Sequence, residues 1–234
     1  GIFVVYLLLT RRFRAAATAV GTFVVVSVIG VAVVPHSAEF WLRGLFIAGD
    51  RVTSGNPPQF SANQSLRGLL ARFLEETPEN RTIIVAAWLV LAVAVAALGM
   101  SLAVRAARRG AEAAAMCLVA LTGLLVSPVS WTHHWVWIVP FLLVVAEAAL
   151  RQRGLLQTLA VAVPPLIATA FLVWTSRVRF NAPIQANGVT WLSYQYPPIV
   201  QKFGESTYVF AGLVLLGLAG VWLLRPERAA DQDL

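Results

Sequence analysis

Cysteine, lysine, histidine and acidic side chains are all scarce in this chain of 234 residues. Its single cysteine, Cys117, lies inside an apolar run, which excludes an intrachain disulfide and a cysteine metal site. Charged residues make up 12% of the chain against 59% hydrophobic. A soluble domain carries about 25% charged and 45–50% apolar residues, so the deficit excludes that class and leaves an integral membrane protein. Lysine occurs once, as Lys202, and the other basic residues are arginines. The net charge of +7 sits mostly in short linkers between apolar runs, which is a membrane-topology pattern rather than a nucleic-acid footprint. An initiator Met and a basic leader are missing as well. The chain opens Gly1-Ile2-Phe3-Val4-Val5-Tyr6-Leu7-Leu8-Leu9, already apolar and without the charged start of a signal peptide. These first residues cover about half of a span. The expectation is the end of a helix that begins elsewhere, in the C-terminal part of a larger protein.

Apolar runs at 15–34, 82–104, 112–126, 135–150, 155–175 and 208–224 predict six full spans plus the partial one. The expected fold class is therefore an all-α integral membrane bundle, N-terminally truncated, with residues 1–234 expected to form one transmembrane domain. Basic linkers at 11–14, 105–110, 151–154 and 225–228 fall on alternate turns of the chain. They share one side, which the positive-inside rule makes cytoplasmic together with the tail 225–234. Long loops at 35–81 and 176–206 then lie on the outer side of a multi-pass plasma-membrane protein. The runs at 112–126 and 135–150 each reach roughly 24 Å, short of a ~30 Å hydrocarbon core. Their connection is expected to dip into a protein-lined cavity, unless flanking residues complete the spans.

That connection is Ser127-Pro128-Val129-Ser130-Trp131-Thr132-His133-His134-Trp135-Val136-Trp137. It holds two of the three histidines. An interfacial aromatic belt accounts for the Trp residues and a helix end for Ser-Pro, but neither accounts for paired His. Polar groups at this depth mark functional sites. His133 or His134 could act as a general base near neutral pH; on a helix they would point about 100° apart, so one would face a shared cavity. A metal site is the competing role, but no carboxylate or third His lies nearby in sequence, and His36 belongs to another loop. Ser127 or Ser130 as nucleophile would need an orienting acid, and none is adjacent.

The loop 35–81 mixes apolar and arginine residues at 40–47 and 66–74, the pattern of short helices in the interface plane. Arg43, Arg67 and Arg72 there could grip a lipid phosphate, since arginine is a planar fork that stays charged; the alternative is unselective neutralisation of head groups. Asn63-Gln64-Ser65 also reads as a glycosylation acceptor. The loop 176–206 carries Arg177 among amides and aromatics, suited equally to sugar rings and to an interfacial cap.

Two stretches, Ser127-Pro128-Val129-Ser130-Trp131-Thr132-His133-His134-Trp135 and Ala62-Asn63-Gln64-Ser65-Leu66-Arg67-Gly68-Leu69-Leu70-Ala71-Arg72, resemble the polyprenol-phosphate-mannose-dependent α-(1→2)-mannosyltransferases of actinobacteria, glycosyltransferase family 87. The resemblance implies a multi-helix GT-C architecture. It implies transfer of mannose, without metal or other cofactor, from a polyprenyl-phosphate donor to a glycolipid or lipoglycan acceptor at the outer membrane face. His133 occupies the position of the family's motif histidine, with His134 its neighbour. Asn63, Gln64 and Trp131 are the motif residues expected to bind substrate. Arg67, and after it Arg43, Arg72 and Arg177, would stabilise the departing phosphate. The acidic residue that such enzymes carry in a first outer loop has no counterpart here, and Asp50, in a later loop, does not fill that place. Membrane lipids are the other expected partners, and nucleic acid is not one. Two rivals from other classes are a transporter or flippase of lipid-linked sugars and a non-catalytic scaffold. The first would carry paired broken helices or midplane charges; the second leaves the His pair unexplained.

Overall fold

The chain starts with a short apolar helix, α1 (Ile2–Leu9), that closes in a tight reversal. Arg11 N–H donates to Leu8 O at 3.0 Å and Arg12 N–H to Leu7 O at 2.8 Å, the paired bonds that end a helix around a left-handed residue. Arg11 occupies that position, with φ 59°. α2 (Phe13–Val33) follows. This computed structural model describes residues 1–34, 36–39, 57–150 and 197–224; the expected span 155–175, the helix at 40–47, Arg43, Arg177 and the tail 225–234 lie outside the described residues.

The described residues are helical, with no strand among them beyond one isolated bridge. After a turn at Ser37–Glu39 come α3 (Leu66–Phe73), α4 (Arg81–Arg108) and α5 (Glu112–Val126). A 3₁₀ helix, Thr132–Trp137, leads into α6 (Ile138–Leu150). The last two are α7 (Pro198–Gly204) and α8 (Thr207–Leu224). α2 and α4 are each long and apolar enough to cross a membrane. α7 and α8 together make a third candidate, bent by 54°. This is a membrane-embedded protein.

The stretch 105–110, expected as a linker, is helical as far as Arg108. Arg105 and Arg108 in the last turn complement the helix dipole, and Gly110, at φ 72°, makes the reversal into α5. α4 and α5 then lie against each other so closely that a Cβ on Gly99 would meet Thr122 Oγ1 at 2.0 Å. Thr122 is buried and spends its hydroxyl on Leu118 O at 2.6 Å. α8 packs on both helices, and α1 closes the same core through Tyr6. The core is therefore a sandwich of α4, α5 and α8 around Leu118, Leu125, Trp135 and Leu215. α2 stands at its edge, with Ala16 its one buried residue.

The fold sets up two distinct ends. α5 spans roughly 22 Å at 1.5 Å per residue. Its first residue, Glu112, meets the arginine-rich turns, and its last, Val126, leads into the histidine stretch.

Candidate functional site

The two stretches that stand out in the sequence are in contact. Ser65 caps α3, its hydroxyl accepting from Gly68 N–H at 3.2 Å, and the loop before it runs against the segment that follows α5. Asn63 and Trp131 form an antiparallel bridge. Gln64 N–H donates to Ser130 O at 2.7 Å.

Asn63 is the centre of this clasp. Its side-chain nitrogen donates to Pro58 O at 3.1 Å and to Pro128 O at 3.2 Å. Its side-chain oxygen accepts from Ser130 N–H at 3.1 Å and from the Ser65 hydroxyl at 2.9 Å. A carboxamide has two donors and two acceptor lone pairs, so Asn63 is fully satisfied by the protein. It is also 2% exposed, which removes it as a glycosylation acceptor in the folded chain. Gly68 is what lets Asn63 sit there, because a Cβ at that position would lie 2.3 Å from Asn63 O.

Gln64 is buried as well. Its side-chain nitrogen donates to Ser61 O and to Glu205 O, both at 2.5 Å, so it fastens the clasp to the junction of α7 and α8. Its side-chain oxygen is buried and has no hydrogen bond among the described residues. Trp135 completes the frame: its indole N–H donates to Gln64 O at 3.1 Å, its ring is 1% exposed, and Gly212 of α8 makes room for it. A buried indole needs such a partner, and here that partner fixes the residue next to the histidines.

His133 and His134 are both exposed. Their rings meet edge to face with centroids 4.5 Å apart. His134 is built into the turn: its N–H donates to Trp131 O at 2.9 Å and its Nδ1 accepts from Trp131 N–H at 3.3 Å. Burial of part of the ring, with the neighbouring His133 as a second cause, pushes the His134 imidazole below its ordinary pKa. His133 makes no such bond among the described residues and presents its imidazole outward. Trp131 is half-buried beside them.

The helix expected at 66–74 is present as α3, but its two arginines turn into the protein. Arg67 pairs with Glu76 through both terminal guanidinium nitrogens, one of them donating to Oε1 at 2.7 Å and the other facing Oε2. Both side chains are 7% exposed. Arg72 donates through Nε to the Ser206 hydroxyl at 3.0 Å, and through a terminal nitrogen to Asn63 O at 3.0 Å and Phe60 O at 3.2 Å. It thus binds α3, the clasp and the start of α8 into one unit. Lys202 of α7 reaches the next acid, donating to Glu75 Oε1 at 2.6 Å, and holds that carboxyl below its usual range.

The structure therefore joins Asn63, Gln64, Arg67, Arg72, Trp131, His133 and His134 at one end of the bundle. Glu76 and Ser206 join them without having stood out in the sequence, and Ser130, weighed there as a nucleophile, instead holds Asn63 through its backbone N–H. The signal for Glu76 was present: it is one of two adjacent acids just past a helix that carries two arginines.

The chain matches the family model described as Glycosyltransferase family 87 over residues 1–128. That match stops within the histidine stretch, but full-length relatives carry it onward. A polyprenol-phosphate-mannose-dependent alpha-(1-2)-phosphatidylinositol mannoside mannosyltransferase of Mycobacterium tuberculosis is 30% identical over 100% of this chain and 51% of its own length. A protein of the same description from Mycolicibacterium smegmatis is 36% identical over 93% of the chain and 47% of its own length. A polyprenol-phosphate-mannose-dependent alpha-(1-2)-phosphatidylinositol pentamannoside mannosyltransferase, also of Mycobacterium tuberculosis, is 32% identical over 96% of the chain and 47% of its own. The chain spans about half the length of the curated relatives it matches. No solved structure matches it.

Proposed function

Because the chain belongs to glycosyltransferase family 87, we propose that it carries the acceptor-activating end of a membrane mannosyltransferase. The donor is a polyprenyl-phosphate mannose, and the acceptor is a mannosylated glycolipid of the phosphatidylinositol mannoside kind or a related lipoglycan. An acceptor hydroxyl attacks the anomeric carbon with inversion and forms an α-(1→2) bond. The bond from that carbon to the donor phosphate breaks, and the polyprenyl phosphate leaves with its electron pair. The reaction takes place at the outer face of the plasma membrane, opposite the arginine-rich turns, in line with the positive-inside rule.

The observation that carries this reading is the clasp between Asn63 and the Ser130–Trp131 segment. Two stretches far apart in sequence build one unit, and its outward group is an imidazole. In this scheme His133 takes the proton of the acceptor hydroxyl as the bond forms, a role that an imidazole can fill near neutral pH. His134, whose Nδ1 is committed to Trp131 N–H, holds the turn in shape. Trp131 offers an apolar face to a sugar ring. Asn63 and Gln64 act from behind, by fixing the segment. Arg67 supplies positive charge toward the departing phosphate, where charge develops; Glu76 is its partner before the donor arrives. Arg72 braces α3 beneath it. Arg43 and Arg177 remain further candidates for the phosphate.

The test is mannosyl transfer in membranes containing the His133→Ala protein, with polyprenyl-phosphate mannose and phosphatidylinositol mannosides supplied. Transfer should fall by roughly 10²–10⁴-fold, the usual contribution of a general base, while membrane insertion is retained. Unchanged turnover would remove His133 from the chemistry.

A further inference from the structure

The opposite end of α5 carries a cluster that the transfer reaction does not use. Glu112, the first residue of α5, accepts two hydrogen bonds from the Arg12 guanidinium, at 2.5 and 2.6 Å, and one from the Tyr6 hydroxyl at 2.9 Å. Tyr6 is fully buried. This knot ties the α1–α2 turn to the α4–α5 turn. It places Arg11, Arg12 and Arg14 at the same end of the bundle as Arg105, Arg108 and Arg109. Across 10–14 and 105–112 the sequence sets six arginines against one carboxylate, and that carboxylate is taken up by Arg12. Arg11, Arg14, Arg105 and Arg108 are exposed.

A second observation says what this surface meets. Directly beside the arginines, Leu8, Leu9 and Phe13 are 49%, 52% and 61% exposed. Charged forks at the rim of bare apolar side chains complement a molecule with an anionic phosphate at one end and acyl chains at the other. A free phosphate would have no use for the apolar half. A third observation concerns the backbone. Arg11 sits at φ 59°, in a helix-ending position that glycine fills at no steric cost. An arginine there is strained, and its side chain makes no hydrogen bond or ion pair among the described residues that would compensate.

We infer that the two arginine turns form one binding surface for the head groups of anionic phospholipids in the leaflet at this end of the bundle. Arg12 and Glu112 organise the surface. Arg11, Arg14, Arg105 and Arg108 contact phosphate. Arg11 keeps a costly conformation because its charge is needed there.

The test uses the full chain in phosphatidylcholine mixed micelles, with phosphatidylglycerol titrated in, and reads thermal midpoint and retained lipid by native mass spectrometry. Phosphatidylglycerol should raise the midpoint, and added salt should weaken the effect. Each arginine near the surface contributes about fivefold in affinity, so Arg105→Gln with Arg108→Gln should weaken binding by about 25-fold. Arg11→Gly separates binding from folding: its midpoint in pure phosphatidylcholine should rise, while its response to phosphatidylglycerol falls. Equal responses in wild type and variants would overturn the inference. So would an equal rise with inorganic phosphate, which would make the surface a free-anion site. Mannosyl transfer by these variants, assayed in phosphatidylcholine alone, is independent of the outcome.

Discussion

Ser130 donates its backbone N–H to the side-chain oxygen of Asn63 at 3.1 Å, across 67 positions of sequence. The same carboxamide makes three further bonds, and together they bring the histidine stretch to α3. Removing it strands buried partners on both segments. Asn63→Ala should therefore cost roughly 2–4 kcal/mol, each orphaned buried group costing about 1–3. Asn63→Asp keeps the acceptor but loses both donors and sets a carboxylate against the carbonyls of Pro58 and Pro128, so it should be no milder. Unfolding of the detergent-solubilised protein measures both. Variants that stay within about 0.5 kcal/mol of wild type, the range of ordinary surface changes, would show that the clasp is not what holds the segments together.

Glycine positions give a sharper contrast. A methyl group on Gly68 meets Asn63 O at 2.3 Å, and one on Gly99 meets Thr122 Oγ1 at 2.0 Å. In both cases the neighbour is buried and already bonded, so it cannot simply swing away. Gly68→Ala and Gly99→Ala should each lose about 1–3 kcal/mol, as overpacking does. Gly217 of α8 has nothing among the described residues within 4 Å of an added Cβ. Gly217→Ala should be neutral or gain up to about 1 kcal/mol from helix propensity. The ranking, read from unfolding in one detergent, checks the close approach of α4 to α5 and of α3 to its preceding loop.

The residues show why some of this was legible in sequence and some was not. α2 and α5 lie close to the apolar runs that announced them, because run length and apolar content are local properties. α4 ran on to Arg108, past the expected end at 104, since arginines in a last turn suit the helix as well as they suit a linker. α3 was expected from its pattern, yet its arginines face inward; the acids just past it hinted at Glu76, but no local pattern reveals that Ser206, 134 positions on, meets Arg72. The resemblance singled out Asn63 and His133 from motifs, but their relation through Ser130 depends on a long-range contact that no local periodicity encodes.

Acid should loosen the histidine turn. Partial burial of its ring, and then the adjacent His133, hold the His134 pKa below that of an ordinary imidazole. The unfolded chain therefore takes up a proton first as pH falls. The stabilising contribution of neutral His134 is complete above the ordinary value of about 6.5 and is lost as pH drops through the lower folded value. Structure gives the same sign: a protonated Nδ1 can no longer accept from Trp131 N–H. Ring-resonance titration should give a midpoint under the ordinary imidazole value, and hydrogen-exchange protection of the Trp131 amide should decline over the same range. In His134→Phe that pH dependence should vanish. A midpoint at or above the ordinary value would contradict the assignment.

Arg67 and Glu76 allow chemistry to be separated from architecture. Removing one partner of a buried pair leaves an uncompensated charge and costs about 3–5 kcal/mol, so Arg67→Met alone and Glu76→Leu alone should both be severe. The double variant, with two apolar side chains filling the same volume, should recover most of that loss, as buried pairs exchanged for apolar groups commonly do. Stability alone would then look nearly normal. Mannosyl transfer decides the rest: if the Arg67 charge acts on the departing phosphate, the double variant folds and remains inactive. If it folds and transfers at the wild-type rate, Arg67 serves only to anchor α3, and the phosphate must be met by a guanidinium from another segment.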